Sequence, residues 1–232
     1  MNLDMRVMMT DPRRENYFYE EALKTLRTNI QFTGKSVKTI LLTSCYPNEG
    51  KSDICMQLAM EIGKAGKKVL LVDADMRKSA YVTRYRVKKA VKGLSQYLSG
   101  QVSEEEIRYS TNFLNVDIVF SGPVAPNPSE LLGDPSMGEL ITKARGEYDY
   151  ILIDSPPMIN IIDAAILARI CDGAILVIES GRVSYKMAQK VLDQLKKSEC
   201  RILGAVLNKV DIKNDKSYSK YSSYYYGGYG AK

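Results

Sequence analysis

Apolar runs of strand length alternate with segments of helical periodicity along most of this chain, and this alternation constrains the fold more than any other feature. The apolar runs cover residues 37–44, 67–75, 115–122, 149–154, 174–179 and 202–208. Helical patterns occupy residues 51–65, 129–147, 160–170 and 184–198. Strands that are apolar throughout are typical of a parallel sheet covered by helices on both faces. The sequence therefore predicts a doubly wound α/β domain with a mostly parallel sheet.

Two segments lie outside this alternation. Apolar residues recur at helical spacing within 15–32, which predicts a helix ahead of the first strand. Residues 213–232 are rich in Tyr, Ser and Gly and almost free of aliphatic side chains, which predicts a flexible tail. We therefore expect one domain over residues 1–212, with the helix at its start, followed by the tail.

The composition excludes several kinds of chemistry. The 232 residues include no histidine, which excludes Ser-His-Asp and Cys-His catalysis and histidine metal ligands. The four cysteines lack metal-ligand or disulfide spacing and are expected to be buried thiols in a reducing cytosol. No apolar run approaches the ~18 residues of a membrane span, and the N-terminus does not resemble a secretory signal. We therefore expect a cytoplasmic protein that reaches a membrane only by recruitment.

The positive charge of the chain is spread along its length. Lys and Arg total 33 against 27 Asp and Glu, for a net charge of +6. This balance suits contact with polyanions but does not require nucleic acid, and we expect no nucleic-acid partner. One local basic run, residues 84–89 with Lys92, is interpreted as a solvated face rather than a patch for phosphates or acidic lipid.

A phosphate-binding motif lies where the first predicted strand ends and a helix begins. Residues 45–52 read CYPNEGKS, which matches a P-loop except that Cys45 replaces its first glycine. A P-loop wraps backbone N–H groups around a polyphosphate at the positive end of a helix. Lys51 is expected to reach the β- and γ-phosphates, and the Ser52 hydroxyl is expected to ligate Mg²⁺. The other candidate nucleotide-binding residues of this segment are Pro47, Asn48, Glu49, Gly50 and Asp53.

Two later strands end in carboxylates. Asp73 and Asp75, followed by Arg77, end one of them, and Asp154 ends the other. The carboxyl ends of parallel strands face the crevice where such sheets bind ligands, so these side chains are expected beside the P-loop. Asp75 and Asp154 are the predicted Mg²⁺ ligands together with Ser52, and Asp73 is the candidate base for a hydroxyl proton. Any one carboxylate alone would be interpreted as a helix cap.

The last predicted strand is followed by residues 208–211, which read NKVD. This motif reads the base in GTPases, where its final Asp holds guanine. It also occurs loosely in adenine-binding proteins, where the Asn is the useful residue. Asn208 is therefore a candidate nucleotide contact, and the identity of the base stays open.

Together these residues resemble the bacterial tyrosine kinases of capsular and exopolysaccharide synthesis over nearly the whole chain. The P-loop, the segment 73–77, the strand end at Asp154 and the tyrosine-rich tail occur in the order of that family. Residues 122–132 (GPVAPNPSELL) are also similar to a family segment. The first helix looks like the family's oligomerisation motif E-x-x-R-x-x-R, with a lysine in place of the first arginine. The residues of that motif are Glu21, Lys24 and Arg27.

This resemblance implies an enzyme that uses ATP and Mg²⁺ to phosphorylate tyrosines in the tail of a neighbouring subunit and in other proteins. It implies a cyclic homo-oligomer held through the 15–32 helix. It also implies a separate transmembrane adaptor that activates the chain and recruits it to the inner face of the membrane. The implied catalytic residues are Lys51, Asp73, Asp75 and Arg77. The candidate phosphorylation sites are Tyr218, Tyr221, Tyr224, Tyr225, Tyr226 and Tyr229.

One position departs from the family and keeps alternatives open. Asp53 stands where the family usually has a Thr or Ser that contacts the α-phosphate. A carboxylate suits the start of a helix, but beside a triphosphate it adds repulsion between like charges. One alternative is a deviant-Walker partitioning or division ATPase, whose signature lysine is replaced here by Tyr46. The others are a GTPase switch and a scaffold with a degenerate nucleotide site.

Overall fold

A seven-stranded sheet organises the part of the chain that the computed structural model describes, which is residues 5–14, 16–159 and 161–211. The strands are β1 (Thr39–Ser44), β2 (Val69–Asp73), β3 (Arg108–Ser110), β4 (Val116–Val119), β5 (Tyr150–Asp154), β6 (Gly173–Glu179) and β7 (Ile202–Asn208). The helices are α1 (Tyr17–Phe32), α2 (Lys51–Lys64), α3 (Tyr81–Arg84), α4 (Leu94–Leu98), α5 (Pro128–Leu132), α6 (Pro135–Glu147), α7 (Asp163–Ala168) and α8 (Tyr185–Lys197).

The order of the strands places the predicted site residues side by side. The sheet runs β3-β4-β2-β5-β1-β6-β7, and every neighbouring pair is parallel except β3 with β4. The predicted doubly wound, mostly parallel sheet is therefore confirmed. Because β5 lies between β1 and β2, the P-loop strand β1 is next to β5, which ends in Asp154, and one strand away from β2, which ends in Asp73. Asp73 pairs with Asp154 in the register of β2 and β5.

Two apolar cores cover the two faces of the sheet. Alternate side chains of the central strands enter one core or the other, for example Leu41 and Leu70 against Ile40 and Leu71. The first core is completed mainly by α4, α6, α7 and α8, and the second mainly by α1, α2 and α3. Strands buried on both faces explain why the sequence shows continuous apolar runs there instead of alternation.

The helices agree with the predicted patterns, except that one predicted helix is two helices and several short elements were not predicted. The predicted helix over 129–147 is two helices, α5 and α6, because Gly133 ends the first and Pro135 begins the second. Asp134 caps α6, accepting a hydrogen bond from the backbone N–H of Ser136 at 2.9 Å. The short elements α3, α4 and β3 have no apolar run or long helical period, and the sequence did not predict them.

The predicted N-terminal helix is confirmed as α1, whose N-cap is Asn16. Ahead of it, an unpredicted segment crosses the sheet edge, where the backbone N–H of Met9 donates to the Asn112 side chain at 2.7 Å. The four cysteines are free thiols, three of them buried and Cys171 half-buried. None of the helices in the described ranges is both long and apolar enough to cross a membrane. The predicted tail, 213–232, lies outside the described residues.

Two helical glycines should respond oppositely to substitution by alanine. In α2, a Cβ at Gly63 would lie 2.1 Å from the Leu114 carbonyl oxygen, so the strand connection would have to move. In α6, a Cβ at Gly138 would meet no atom within 4 Å. Gly63→Ala is expected to lower the free energy of unfolding by about 1–3 kcal/mol. Gly138→Ala is expected to raise it by about 0.5–1 kcal/mol.

Denaturant unfolding of both variants beside the parent chain measures these changes. Because both substitutions add one methyl group to a helix, the pair separates close packing from helix propensity. A stabilising Gly63→Ala would show that α2 does not pack against the Leu114 carbonyl in this way.

Candidate active site

A cleft of about 630 Å³ opens at the carboxyl ends of β1, β2 and β5. All the nucleotide-binding residues predicted between positions 47 and 53 line this cleft, as do Asp75 and Arg77. Asp73 and Asp154 are completely buried at its base, and Asn208 lies behind the P-loop. The structure therefore brings the predicted P-loop and strand-end residues into one place.

The P-loop has a strained backbone that later strands hold in shape. Asn48 and Gly50 adopt left-handed conformations, with φ of 68° and 87°. A Cβ at Gly50 would lie 2.2 Å from Nδ2 of Asn208, so this position has no room for a side chain. Asn208 donates from that nitrogen to the Glu49 carbonyl at 2.8 Å, and Lys209 donates to the Asn48 carbonyl at 2.7 Å. The amide of Asn208 thus braces the loop.

Glu49 lies on the lining of the cleft, but its carboxylate is bound inside the protein. Its side chain is 1% exposed and accepts hydrogen bonds from the backbone N–H of Tyr46 at 2.7 Å and of Glu179 at 3.2 Å. A buried carboxylate with two backbone donors is well satisfied. Its carboxylate therefore fixes the loop to the end of β6, a role that the motif alone did not indicate.

Lys51 and Asp154 form a buried ion pair at the centre of the site. Nζ of Lys51 lies 2.5 Å from Oδ1 of Asp154 and 3.2 Å from Oγ of Ser52. The two charged side chains are only 7% and 1% exposed. Burial lowers the pKa of Lys51, but the adjacent Asp154 carboxylate outweighs burial, so the pKa of Lys51 is raised. The lysine is therefore a fixed positive charge at the first position of α2.

Asp73 lies one hydrogen bond behind the surface of the cleft. Its carboxylate accepts from the Ser79 hydroxyl at 2.5 Å and from the backbone N–H of Ser121 at 3.3 Å. Burial raises the pKa of Asp73 to about 7, and the charge of Asp154 adds to the effect. Ser79 itself lines the cleft. Asp73 is thus a carboxyl group that can gain or lose a proton near neutral pH, with a hydroxyl between it and the cleft.

Asp75 and Arg77 point to different parts of the rim. Asp75 is 8% exposed, and its Oδ1 accepts from the backbone N–H of Lys78 at 2.9 Å. Arg77 binds the buried carboxylate of Asp163 through Nε at 2.8 Å and Nη2 at 3.1 Å, and donates to the Ser129 hydroxyl at 3.1 Å. Arg77 therefore clamps the end of the β2 segment to α5 and α7. No motif or spacing in the sequence points to Asp163, which lies 86 residues from its partner.

Asp53 has a partner that the sequence analysis did not identify. Its Oδ1 lies 2.5 Å from Nη1 of Arg84, and both residues line the cleft. Arg84 belongs to the basic run that was interpreted as a solvated face; it is exposed, and it also pairs with Asp53 at the rim of the cleft. Because the two charges are opposite and adjacent, the pair has no net charge at the rim of the cleft.

The three residues of the predicted oligomerisation motif have partners within the chain. Lys24 donates to Glu21 at 2.7 Å on the exposed face of α1. Arg27 binds Glu61 of α2 at 2.9 Å, with side-chain exposures of 24% and 9%. Arg27 therefore fastens α1 to the P-loop helix, while the other two remain at the surface. An oligomer interface through α1 stays a prediction.

The donor set at the site fits Mg²⁺ only in combination with phosphate. Among the described residues, no three His, Cys, Asp or Glu side chains are grouped as a metal site. Mg²⁺ in nucleotide sites uses one or two carboxylates besides substrate phosphates and waters. Oδ2 of Asp154 is buried without a hydrogen-bond partner, which leaves an acceptor available for a cation. The Ser52 hydroxyl and the Asp75 carboxylate complete a sparse oxygen set of the kind that Mg²⁺ accepts.

The Lys51–Asp154 pair makes a prediction about stability. Lys51→Met removes the partner of a buried carboxylate and is expected to lower the free energy of unfolding by about 3 kcal/mol. Lys51→Met combined with Asp154→Asn removes both charges and should recover most of that loss. Thermal and urea unfolding of the two variants measure the difference. A double variant no more stable than Lys51→Met would show that the charges do not depend on each other.

Comparisons with known proteins agree with this geometry. The AAA domain family matches residues 37–205. The chain is 39% identical over 213 residues to tyrosine-protein kinase CpsD of Streptococcus agalactiae, covering 92% of this chain and 90% of that protein.

Solved structures give the same result. The kinase domain of Escherichia coli tyrosine kinase ETK is similar with a TM-score of 0.79 and 32% identity, covering 82% of this chain and 75% of that one. The septum site-determining protein MinD of Pyrococcus horikoshii, solved with Mg-ADP, is similar with a TM-score of 0.66 and 30% identity, covering 75% and 71%. The family resemblance inferred from the sequence is confirmed, and the chain belongs to the bacterial tyrosine-protein kinases, built on a P-loop AAA domain.

Proposed function

We propose that this kinase binds Mg-ATP in the cleft and phosphorylates tyrosines in the C-terminal tail of a neighbouring copy. The observation that supports the proposal is the ion pair between Lys51 of the P-loop and Asp154. This pair lies beside the end of β2, where Asp73 and Asp75 are found. A positive charge, a backbone-lined loop and several carboxylates at one edge of a sheet are what phosphoryl transfer requires. The tail tyrosines lie outside the described residues and enter through the family resemblance.

Different residues of the cleft are proposed to bind the polyphosphate and Mg²⁺. The N–H groups of the P-loop and of the start of α2 donate to the polyphosphate, and Lys51 supplies the positive charge. Ser52, Asp75 and Asp154 are the residues that would hold Mg²⁺. When bound, Mg²⁺ neutralises negative charge on the β- and γ-phosphates.

The tyrosine hydroxyl must lose a proton as the phosphoryl group is transferred. Asp73 is the proposed acceptor of this proton. Because its carboxylate is buried behind Ser79, the Ser79 hydroxyl provides the route from the cleft to the base. Arg77 is bound by Asp163 and thereby holds in place the segment that carries the Asp73 and Asp75 carboxylates.

The chain is further proposed to work as a cyclic homo-oligomer in capsular or exopolysaccharide synthesis. Support for an interface through α1 comes from its exposed charges Glu21 and Lys24 and from large exposed apolar side chains on the same helix. These side chains are Tyr17, Phe18 and Phe32. A transmembrane adaptor that recruits the chain to the inner face of the membrane follows from the family resemblance alone.

Substitutions at two neighbouring carboxylates should separate proton transfer from metal binding. Asp73→Asn keeps the size of the side chain but removes the base, so turnover should fall by about 100-fold. Its affinity for Mg-ATP should stay within about threefold, since Asp73 does not line the cleft. Asp75→Asn should instead weaken Mg²⁺-dependent nucleotide binding. Calorimetry and initial rates of phosphotyrosine formation distinguish the two, and reversed outcomes would exchange the two assignments.

Transfer between subunits is tested by mixing two variants. The acceptor carries Lys51→Met and Asp154→Asn with an intact tail, so that it is inactive but keeps no unpaired buried charge. The donor is active and lacks residues 213–232. Mass spectrometry of the acceptor's C-terminal peptide should show phosphotyrosine, because under this proposal the tail of one copy enters the cleft of another.

One result of this mixing experiment would contradict the model. An unlabelled acceptor, together with labelling of the full-length enzyme at a rate independent of concentration, would place the reaction within one subunit.

Phosphorylation should also change the size of assemblies of the full-length enzyme. Each phosphate adds about −1.5 to −2 charges, and repulsion between phosphorylated tails should loosen an assembly that holds them close together. Light scattering should therefore show smaller assemblies after labelling.

A further inference from the structure

Asp53 and Arg84 form an ion pair at the mouth of the nucleotide cleft. We propose that Arg84 is a positioning residue for the nucleotide, whose task is to neutralise Asp53 so that the cleft accepts a polyphosphate. This inference rests on the proposed binding of Mg-ATP and assigns to Arg84 a role that no motif of the chain indicates.

The pair belongs to the cleft rather than to the core. Nη1 of Arg84 lies 2.5 Å from Oδ1 of Asp53, and the side chains are 41% and 32% exposed. Both residues line the same cleft as Lys51 and Ser52. A bound polyphosphate therefore meets the two charges together, as a pair with no net charge.

The position of Arg84 is set by the short helix α3. Tyr81 at its start is buried, and its hydroxyl donates to the Ser52 carbonyl at 3.0 Å. Tyr81 also stacks on Tyr85, with 6.0 Å between the ring centroids. These contacts dock α3 against the first turn of α2. The docking places Arg84 opposite Asp53, even though 31 positions separate the two residues.

The chemistry of Asp53 requires such a partner. In the first turn of α2 its carboxylate is favourable to the helix, whose N-terminus is positive. The same helix end is the anion site, where an uncompensated carboxylate would repel the phosphates. Partly exposed ion pairs contribute little to folding stability, so the main effect of this pair falls on anion binding.

Four variants test the proposal by titration with Mg-ATP. Arg84→Ala should weaken binding by about tenfold, because it leaves Asp53 unpaired beside the phosphates. Arg84→Ala combined with Asp53→Thr should return to within about threefold of the parent. Arg84→Lys should keep most of the affinity. Lys88→Ala removes one exposed positive charge outside the cleft and should change affinity by less than about twofold.

A structural role for Arg84 would give a different pattern. If Arg84 only held α3 in place, a second substitution would not restore binding, and affinity for uncharged adenosine would fall as well. Under the proposal, adenosine affinity stays the same in Arg84→Ala. Unfolding curves of the variants show that each is folded at the titration temperature.

The result also separates this inference from the proposed function. If the parent chain binds Mg-ATP, Lys51→Met abolishes binding and Arg84→Ala binds like the parent, the role of Arg84 is refuted and the nucleotide site stands. The role of Arg84 is also refuted if Arg84→Ala and the double variant Arg84→Ala with Asp53→Thr bind Mg-ATP equally weakly. If the parent and Lys51→Met both fail to bind Mg-ATP, the proposed function fails, and the role of Arg84 fails with it.

Discussion

The buried pair of Lys51 and Asp154 is the interaction on which the rest of the site depends. It joins the first residue of α2 to the end of β5, across 103 positions of sequence, at 2.5 Å. Buried charges are tolerated only when paired, because each alone would lose its hydration without compensation. The pair therefore determines where the P-loop helix begins relative to the sheet.

A loop that offers its N–H groups to a ligand needs its shape fixed by other means. Here β6 and β7 do so: Glu49 accepts the backbone N–H at the end of β6, and Asn208 and Lys209 bind carbonyl groups of the loop. These contacts use the side chain of Glu49 and the carbonyl side of the loop. The left-handed Gly50, packed against Asn208, shows how closely the brace fits.

The sequence revealed elements and motifs, but not the partners of charged side chains. Continuous apolar runs predicted six of the seven strands in the described residues, and carboxylates after two of them predicted the site. Strand β3 was missed because three residues at an antiparallel edge have no apolar pattern. The partners Asp163 of Arg77, Glu61 of Arg27 and Arg84 of Asp53 were missed for another reason. They come from distant elements that only the packed fold brings together, and spacing along the chain carries no signal of them.

Helix α2 connects the surface of the first helix to the chemistry of the cleft. Its first turn carries Lys51, Ser52 and Asp53, and its last full turn carries Glu61, which binds Arg27 of α1. Fourteen residues of α-helix span about 21 Å, with every turn hydrogen-bonded to the next. One continuous helix therefore carries both the contact with α1 and the phosphate-binding residues. On α1, Arg27 is committed to this internal contact, whereas Glu21 and Lys24 pair with each other at the surface of the helix.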